Sequence, residues 1–464
     1  MIQVYNTLTH EKEPLKPIKD NHIGIYVCGM TVYDHCHMGH ARVLVAFDMI
    51  VRYLRAREFS VTYVRNITDI DDKIIHRAED LGLSITELTD KFIFSMHEDA
   101  DKLGVLRPDF EPRATQNIEA MQEMIQKLLD KEIAYQADNG DIYYDVTRFE
   151  GYGKLSRKSL DDLKAGARVE VISSKRHPLD FVLWKSAKPD EPNWSSPWGN
   201  GRPGWHIECS AMSTEVLGNT FDIHGGGFDL QFPHHENEIA QSEAATGCSF
   251  VNTWMHVGFV QVNNEKMSKS LGNFFTIKEV FELYQPEVVR FFMLSSHYRS
   301  PLNYSEVSLE QAEHSLRRLY LALRNAPEVS DDEEPDMYYF DSFHAAMEDD
   351  FNTPEAMAVL FELAREINKA KENDTSNVGQ LAATLRLLAN TVGLLYSDPE
   401  DFLQGAGSQA NAEYTAERIQ SLIEVRNLAR QNKDWLTADR IRDELLDVGI
   451  TLDDSAEGTT WRKS

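Results

Sequence analysis

Cysteine is scarce: Cys28, Cys36, Cys209 and Cys248 are the four among 464 residues, and no two form a Cys-x-x-Cys pair. So few thiols exclude a disulfide framework and suit a reducing compartment. Long apolar runs are missing as well. The longest, residues 43–51, is broken by Asp48 and falls far short of the ~20 residues a bilayer span needs. Residues 1–20 lack the apolar core of a signal peptide, so a cytoplasmic protein with no membrane partner is expected. Positive charge is short too. Against 75 Asp and Glu there are 47 Lys and Arg, a net charge of -28, which speaks against a nucleic-acid partner unless basic residues cluster. No repeat of fixed period is visible. At 42% hydrophobic and 26% charged, the chain is neither disordered nor collagenous; it has the composition of a soluble globular protein of several domains.

Residues 23–28 (Ile-Gly-Ile-Tyr-Val-Cys) form a short β-prone run. A polar turn with Gly29, Asp34 and Gly39 follows, then Val43, Phe47, Ile50, Val51 and Leu54 at helical spacing. A second β-prone run at 61–65 precedes a helical pattern from Asp71, which predicts a parallel crossover. The succession returns as a helix over 205–217, a strand over 220–224, a turn at Gly225-Gly226-Gly227, a helix opened by Pro233 and a strand over 253–262. Between these halves, a hairpin over 133–146 turned at Asp138-Asn139-Gly140 and a Pro/Trp/Gly-rich exit at 189–203 predict an insertion. Beyond 310 the pattern is helical, with amphipathic segments at 307–325, 352–371 and 377–395. A linker at 397–411, two helices at 416–431 and 435–448 and a β-like ending through Ile450 and Trp461 complete the chain. The expected architecture is α/β: a split, Rossmann-like doubly wound parallel sheet with an inserted subdomain, followed by an α-helical bundle and a small C-terminal domain. The expected boundaries are 1–120 and 200–260 for the two halves of the sheet domain, 121–199 for the insertion, 261–310 for the region after it, 311–400 for the bundle and 412–464 for the last domain.

His37-Met38-Gly39-His40 lies at the junction of the first strand and helix, where helix N-terminal amides favour a phosphate. Imidazoles three apart can both face it, and Gly39 lets a flat adenine approach the backbone. Alone, the tetrapeptide reads equally well as two surface histidines. Lys266-Met267-Ser268-Lys269-Ser270 follows the strand near Val260 and offers two lysines to the charge that develops as pyrophosphate leaves. In this order, on two halves of a split nucleotide fold, the two motifs outweigh an ordinary basic loop. His234 and Glu238 are four apart on one helix face, and Cys28 and Cys209 lie near strand ends, where such sheets bind ligands. Spacing alone leaves both cysteines as open to burial as small apolar residues as to metal ligation.

His37 to His40 resembles the HIGH motif and Lys266 to Ser270 is an unaltered KMSKS motif, the two signatures of class I aminoacyl-tRNA synthetases. Met38 stands where the pattern has Ile, an apolar residue of similar bulk. Segments 26–29, 204–210 and 232–238 resemble the zinc-ligand segments of bacterial cysteinyl-tRNA synthetases, and the resemblance spans essentially the whole chain, including 65–73. It implies one zinc ion per chain on Cys28, Cys209, His234 and Glu238, and Mg²⁺ with ATP. It implies catalytic roles for His37, His40, Lys266 and Lys269, which would bind ATP together with Gly39, Gly227 and Asp229. Thr31, Thr68, Trp205, His206, His224 and His256 would form the amino-acid pocket, with Trp205 as its wall. L-cysteine, ATP and cysteine tRNA are the implied partners, the implied state is a monomer, and 412–464 would read the anticodon.

The implied reaction has two steps: the cysteine carboxylate attacks the α-phosphate of ATP, and a hydroxyl of the terminal tRNA adenosine then takes the cysteinyl group. The insertion is small, which fits an enzyme that selects its substrate by one metal bond and needs no editing site. Cysteine ligases of mycothiol synthesis resemble the same family and are the near alternative. They lack the C-terminal domain, where Arg426, Arg430, Lys433, Trp435, Arg440, Trp461 and Arg462 offer phosphate contacts and base stacking, or else belong to a solvated helix pair with core tryptophans. A non-catalytic zinc-containing RNA-binding protein is the alternative of another class, and would need neither signature motif. The family is also associated with pyridoxal phosphate held by a Lys-x-x-Lys element for making cysteine persulfide. Here the element reads Lys73-Ile74-Ile75-His76, and imidazole cannot form the Schiff base, so that activity is left unassigned. Charge distribution reopens the question of RNA. Residues 331–350 carry nine acids and no Lys or Arg, about a third of the net charge, whereas 148–176 hold eight basic against four acidic residues. Binding through few local contacts, with a modest salt slope, is expected.

Overall fold

The computed structural model describes residues 1–160, 162, 174–189, 191–262, 265–267, 273–330, 333–405, 414–455 and 458–463. They divide into two compact units: residues 1–274 with 296–302 and 347–352, and residues 275–295 with 303–346 and 353–464.

The first unit opens with an antiparallel hairpin, β1 (Gln3–Asn6) and β2 (Glu11–Pro14). Strand β3 (His22–Val27), helix α1 (Met38–Ala56) and strand β4 (Ser60–Arg65) form the expected crossover, and β3 pairs in parallel with β4. Helices α2 (Asp72–Leu81), α3 (Ile85–Lys102) and α4 (Ile118–Asp130) lead to the insertion. There β5 (Ala134–Gln136), β6 (Ile142–Tyr144), β7 (Phe181–Ser186) and β8 (Gly201–Pro203) form one antiparallel sheet in that order. The hairpin turns where Asp138-Asn139-Gly140 predicts, with Gly140 at φ +87°. The exit segment, by contrast, contributes the edge strand β8.

The second half of the main sheet follows: α5 (Trp205–Leu217), β9 (Phe221–Gly227), α6 (Glu236–Thr246) and β10 (Val251–Val257). A short antiparallel pair, β11 (Val260–Val262) and β12 (Glu265–Lys266), comes after it. The sheet order is β4-β3-β9-β10, all parallel. The chain leaves β3 to one side and returns to the other, so the crevice at the carboxyl ends of β3 and β9 is the topological switch point, the usual ligand site of such sheets. Five of the six residues of β3 are buried, as expected of a strand covered on both faces.

Two local expectations need correction. The three glycines do not turn; they are the last residues of β9. A Cβ on Gly225 would lie 2.0 Å from Phe47 Cζ of α1, and one on Gly226 2.9 Å from Leu230 Cδ1 and 3.0 Å from His235 Cε1. Glycine here admits side chains packed onto a strand. The helix expected from Pro233 begins regularly only at Glu236, because Phe232 is extended (φ -140°, ψ 132°) and His234 belongs to an irregular turn before it. The strand expected over 253–262 is likewise two, broken at Gly258 and Phe259.

The insertion shares its core with the main sheet. Ile142, Tyr144, Leu183 and Trp184 belong to one apolar cluster with Tyr26, Val64 and Phe221 of the sheet and with Met121, Ile207 and Ile239 of α4, α5 and α6.

The second unit is helical: α7 (Ile277–Phe281), α8 (Pro286–Leu294), α9 (Glu306–Leu323), α10 (Thr353–Glu372), α11 (Val378–Thr391) and α12 (Pro399–Leu403). The chain ends with α13 (Ala416–Gln431), α14 (Trp435–Asp447) and an antiparallel hairpin, β13 (Ile450–Ser455) and β14 (Gly458–Lys463). Among the described residues no helix is long and apolar enough to cross a membrane.

Candidate active site and metal centre

The His-x-x-His spacing is that of a helix cap. His37 is the N-cap of α1, and its Nδ1 accepts from Gly39 N at 3.0 Å and His40 N at 3.3 Å, while His40 Nδ1 accepts from His37 N at 3.3 Å. The rings stack at 3.6 Å. A ring nitrogen that accepts carries no proton, so in each neutral imidazole Nδ1 is the acceptor and the proton sits on Nε2. Both rings line a cleft of about 680 Å³ together with Cys28, Thr31, Gly39, Trp205, Gly227 and Asp229. The amino end of α1 therefore opens into this cleft, and the positive end of its dipole favours an anion there.

Of the second signature, Met267 lines the same cleft, and its Cε lies 3.8 Å from the Cβ position of Gly39. Phe274 meets the His37 ring edge-on at 5.1 Å. Lys266 ends β12, but its side chain and the whole of Lys269 lie outside the described residues.

At the β3/β9 crevice four donor groups converge. Cys28 follows β3 and is tied to β9 by its amide, which donates to Gly225 O at 3.0 Å. Cys28 Sγ lies 3.6 Å from Cys209 Sγ and 3.3 Å from Glu238 Oε1, and His234 Nε2 lies 3.0 Å from Glu238 Oε1. The ligand atoms of Cys28, Cys209, His234 and Glu238 all lie within 4.8 Å of one another, and all four residues are buried. A sulfur separation of 3.6 Å is too long for a disulfide and close to the ~3.8 Å edge of a tetrahedron with 2.3 Å metal–sulfur bonds. Two thiols, an imidazole and a carboxylate form a donor set that suits zinc. A second overlapping set, Cys28, His224, His235 and Glu238, satisfies the same distance. It is engaged differently: His224 Nε2 lies 2.8 Å from Glu238 Oε2, and His235 Nδ1 lies 2.8 Å from His256 Nε2.

Electrostatics favour a cation in the first set. Burial pushes the Cys209 thiol up, but the Cys28 S–H donated to it and the His234 imidazolium pull it down to about 6. Burial disfavours the charged His234 ring, yet Glu238 and Cys209 raise it to about 10. A metal would displace these protons. Two of the histidines behind, His206 and His256, are kept neutral. His206 is held far below its usual range by burial and by His234, and His256 is pushed to about 3 by burial and by His224.

The remaining expected pocket residues divide. Trp205 lines the cleft and stacks on His234 at 4.2 Å. His206 lies against His234, Nδ1 to Nδ1 at 2.9 Å, His224 is sandwiched against Trp254 at 4.5 Å, and His256 Nδ1 contacts Thr7 Oγ1 at 2.9 Å. Thr68 is buried, its hydroxyl donating to Glu208 Oε2 at 3.0 Å. These four lie behind the donor set and are not among the cleft-lining residues. Sequence reasoning missed Gly29, whose Cβ would lie 1.7 Å from Asn66 O, and His235, for which the His234-His235 doublet was a signal. It also missed Arg65, Tyr33 and His35, which line the cleft. Lys73 lines it as well, whereas His76 is exposed and lies 3.6 Å from Glu79.

Three family models match the chain: "tRNA synthetases class I (C) catalytic domain" over residues 14–314, "DALR domain" over 342–396 and "Cysteinyl-tRNA ligase anticodon binding domain" over 415–462. The chain belongs to the cysteine–tRNA ligase family. Proteins named cysteine–tRNA ligase from Thioalkalivibrio sulfidiphilus and Laribacter hongkongensis are 60% and 59% identical to it, each over 100% of both chains. Solved class I synthetases share the fold at low identity. Mycobacterium tuberculosis methionyl-tRNA synthetase in complex with methionyl-adenylate has a TM-score of 0.56 at 13% identity, over 80% of this chain and 89% of that one. LeuRS of Agrobacterium radiobacter, in a ternary complex with tRNA and LeuAMS, has a TM-score of 0.57 at 13% identity, over 86% of both chains. Like its family, the chain is a class I ligase, and neither alternative function gains support from these matches.

In the family's C-terminal domain, the basic residues expected to face RNA are partly committed. Arg426 and Arg430 each lie 2.8 Å from Asp454, and Arg462 lies 3.1 Å from Asp453. Trp461 is core; Trp435 is 59% exposed and available for stacking.

Proposed function

We propose that this ligase activates L-cysteine with ATP to cysteinyl-adenylate and transfers it to the 3′-terminal adenosine of cysteine tRNA, acting as a cytoplasmic monomer. The observation that carries the reading is the convergence of two thiols, an imidazole and a carboxylate at the β3/β9 crevice, beside a cleft entered by the amino end of α1.

Cys28, Cys209, His234 and Glu238 would hold one zinc ion per chain. When bound, zinc supplies a soft cation that favours a thiolate over a serine hydroxyl. Glu238, the hard oxygen donor of the set, is also held by His224 and is the residue to give way to a substrate thiol. Trp205 walls the pocket and Thr31 contributes to it, while the neutral His206 and His256, together with His224, fix the rings and carboxylate in front of them; Thr68 holds Glu208 beside Cys209. In the first step the nucleophile is a carboxylate already ionised near neutral pH, so no general base is needed, and catalysis is positioning and charge stabilisation. His37 and His40 present Nε2–H donors to the phosphates, Gly39 admits the adenine, and Gly227 and Asp229 hold the adenosine. Lys266 and Lys269 neutralise charge on the departing pyrophosphate, with Mg²⁺ arriving on ATP.

The division of labour follows the boundaries read from sequence: 1–120 with 200–260 for catalysis, 121–199 beside the acceptor end, 261–310 for the KMSKS loop and stem contact, 311–400 as a bundle and 412–464 at the anticodon. Cys28→Ser should lose zinc, by metal analysis, and cysteine-dependent pyrophosphate exchange together; retained zinc with normal exchange refutes the ligand assignment. With cysteine and ATP the enzyme should charge cysteine tRNA and leave an amino-sugar acceptor untouched. The reverse preference would move the activity to the mycothiol class.

A further inference from the structure

The C-terminal domain closes a small core of its own. Ile419, Ile423, Ile441, Leu445, Ile450 and Trp461 pack together, and the apolar residues lying against them, from Tyr414 to Leu452, come from the same domain. Along β13 successive side chains face opposite ways. Asp454 turns inward to Arg426, at 2.8 Å. Asp453 turns outward and meets an arginine of the helical bundle.

That arginine is Arg324, just past the last turn of α9 and 8% exposed. Its guanidinium forks onto Glu400, Nε to Oε1 at 2.5 Å and Nη2 to Oε2 at 2.9 Å. From its other side Nη1 donates to Asp453 Oδ2 at 2.9 Å and Nη2 to the Trp461 carbonyl at 3.3 Å. Both anchors on the bundle side are held by contacts of their own. Lys371 Nζ donates to Ala322 O at 2.9 Å and to the carbonyl of Arg324 itself. Glu400 lies in α12, which Asp398 caps and whose Phe402 stacks on Tyr320 of α9 at 4.0 Å. One planar fork thus joins α9 and α12 to both strands of the C-terminal hairpin. A bidentate guanidinium is directional, unlike an apolar contact, and fixes angle as well as distance.

We infer that Arg324 is a positioning residue for tRNA charging: held to the bundle by Glu400, it docks the hairpin through Asp453 and the Trp461 carbonyl and sets where the C-terminal domain is presented to tRNA. The inference rests on the reading of residues 412–464 as the anticodon-binding domain. Two sites on one tRNA reinforce each other only while their spacing matches the ligand, so loosening this joint weakens tRNA binding and leaves adenylate chemistry alone.

The test uses the full-length zinc-loaded enzyme with cysteine tRNA carrying its own or an altered anticodon. In Arg324→Gln, cysteine-dependent pyrophosphate exchange should stay within about twofold of wild type, while KM for tRNA rises about tenfold or more and kcat changes far less. The penalty that wild type shows for the altered anticodon should shrink in the variant, and Arg324→Lys, which regains one point contact, should restore part of it. Asp453→Asn spares the fork onto Glu400 and should reproduce the rise in KM even if Arg324→Gln folds poorly. An unchanged KM in Asp453→Asn while wild type keeps its anticodon penalty overturns the inference alone, as does a parallel loss of exchange and charging. A wild-type enzyme indifferent to the anticodon overturns the reading of the domain, and the inference with it.

Discussion

Alanine at Gly225 should displace the helix that carries both signature histidines. Gly225 is in β9, the strand between β3 and β10, opposite Met255 in register, and its carbonyl accepts from Cys28 N. A Cβ there would lie 2.0 Å from Phe47 Cζ, 2.4 Å from Cε1 and 2.9 Å from Cε2. Carbon atoms in comfortable contact sit ~3.5–4.0 Å apart, so ring and strand must part by about 1.5 Å. Neither gives easily. Phe47 is fully buried in α1, and β9 is paired on both edges. The strain is expected to cost about 1–3 kcal/mol in stability. His37 and His40 open α1, and a misplacement of about 1 Å in a catalytic group lowers rate on the order of 100-fold. Pyrophosphate exchange at saturating ATP and cysteine, with the urea midpoint alongside, measures both effects. In a Phe47→Leu background the ring edge is gone and the same alanine should cost little, a coupling a double-mutant cycle would detect. Wild-type exchange and stability in Gly225→Ala, or an equal penalty in the Phe47→Leu background, would refute the reasoning.

In the helical unit, burial pushes the Glu287 carboxyl up from 4.5 to about 7 against hydrogen bonds from Tyr320 Oη and Leu395 N, both at 2.6 Å. A folded-state value above the unfolded one gives a contribution present below about pH 4.5 and lost as pH rises through about 7, about 3 kcal/mol in all. The urea midpoint should therefore fall between about pH 5 and pH 8 in wild type and lose that slope in Glu287→Gln; parallel pH profiles would contradict it. Lys269→Ala should slow adenylate formation on the order of 100-fold in single-turnover measurements while cysteine affinity holds, whereas a large loss of cysteine binding would count against a phosphate role.

The parallel crossovers, the insertion and the helical second half were legible because each rests on local periodicity. The glycines of β9 were not. Three successive glycines carry no strand propensity, and the rings packed onto Gly225 and Gly226 come from Phe47, far away in sequence, and from His235, brought back by the irregular turn before α6. Pro233 is a common helix opener, but the extended Phe232 before it and the turn through His234 depend on where that turn must deliver an imidazole. At the site, motif and resemblance named Cys28, Cys209, His234 and Glu238, and the fold brings their donor atoms together. The buried histidines behind them were seen as types in a motif, yet which ring touches which is set by tertiary packing. Arg324 gave no signal at all. Nothing near it in sequence marks a residue whose partners lie 76, 129 and 137 positions away.

The net charge of -28 takes on a narrower meaning in this light. Basic residues that looked available to RNA are partly spent inside the protein: Lys154 lies 2.6 Å from Glu243, Arg176 stacks over Tyr135 at 3.9 Å, and Arg426 and Arg430 share Asp454. Each of these raises the cost of turning outward to a phosphate, because a partner carboxylate or ring would be left behind. A tRNA ligase so built cannot lean on counterion release for its affinity, which for many phosphate contacts would give a steep salt dependence. Under the proposed function, shape, a few cations and exposed rings such as Trp435 would carry more of the recognition, and shape counts only if the parts that present it are held at fixed angles. That is why a buried arginine fork between bundle and hairpin matters more in an acidic enzyme than it would in a basic one.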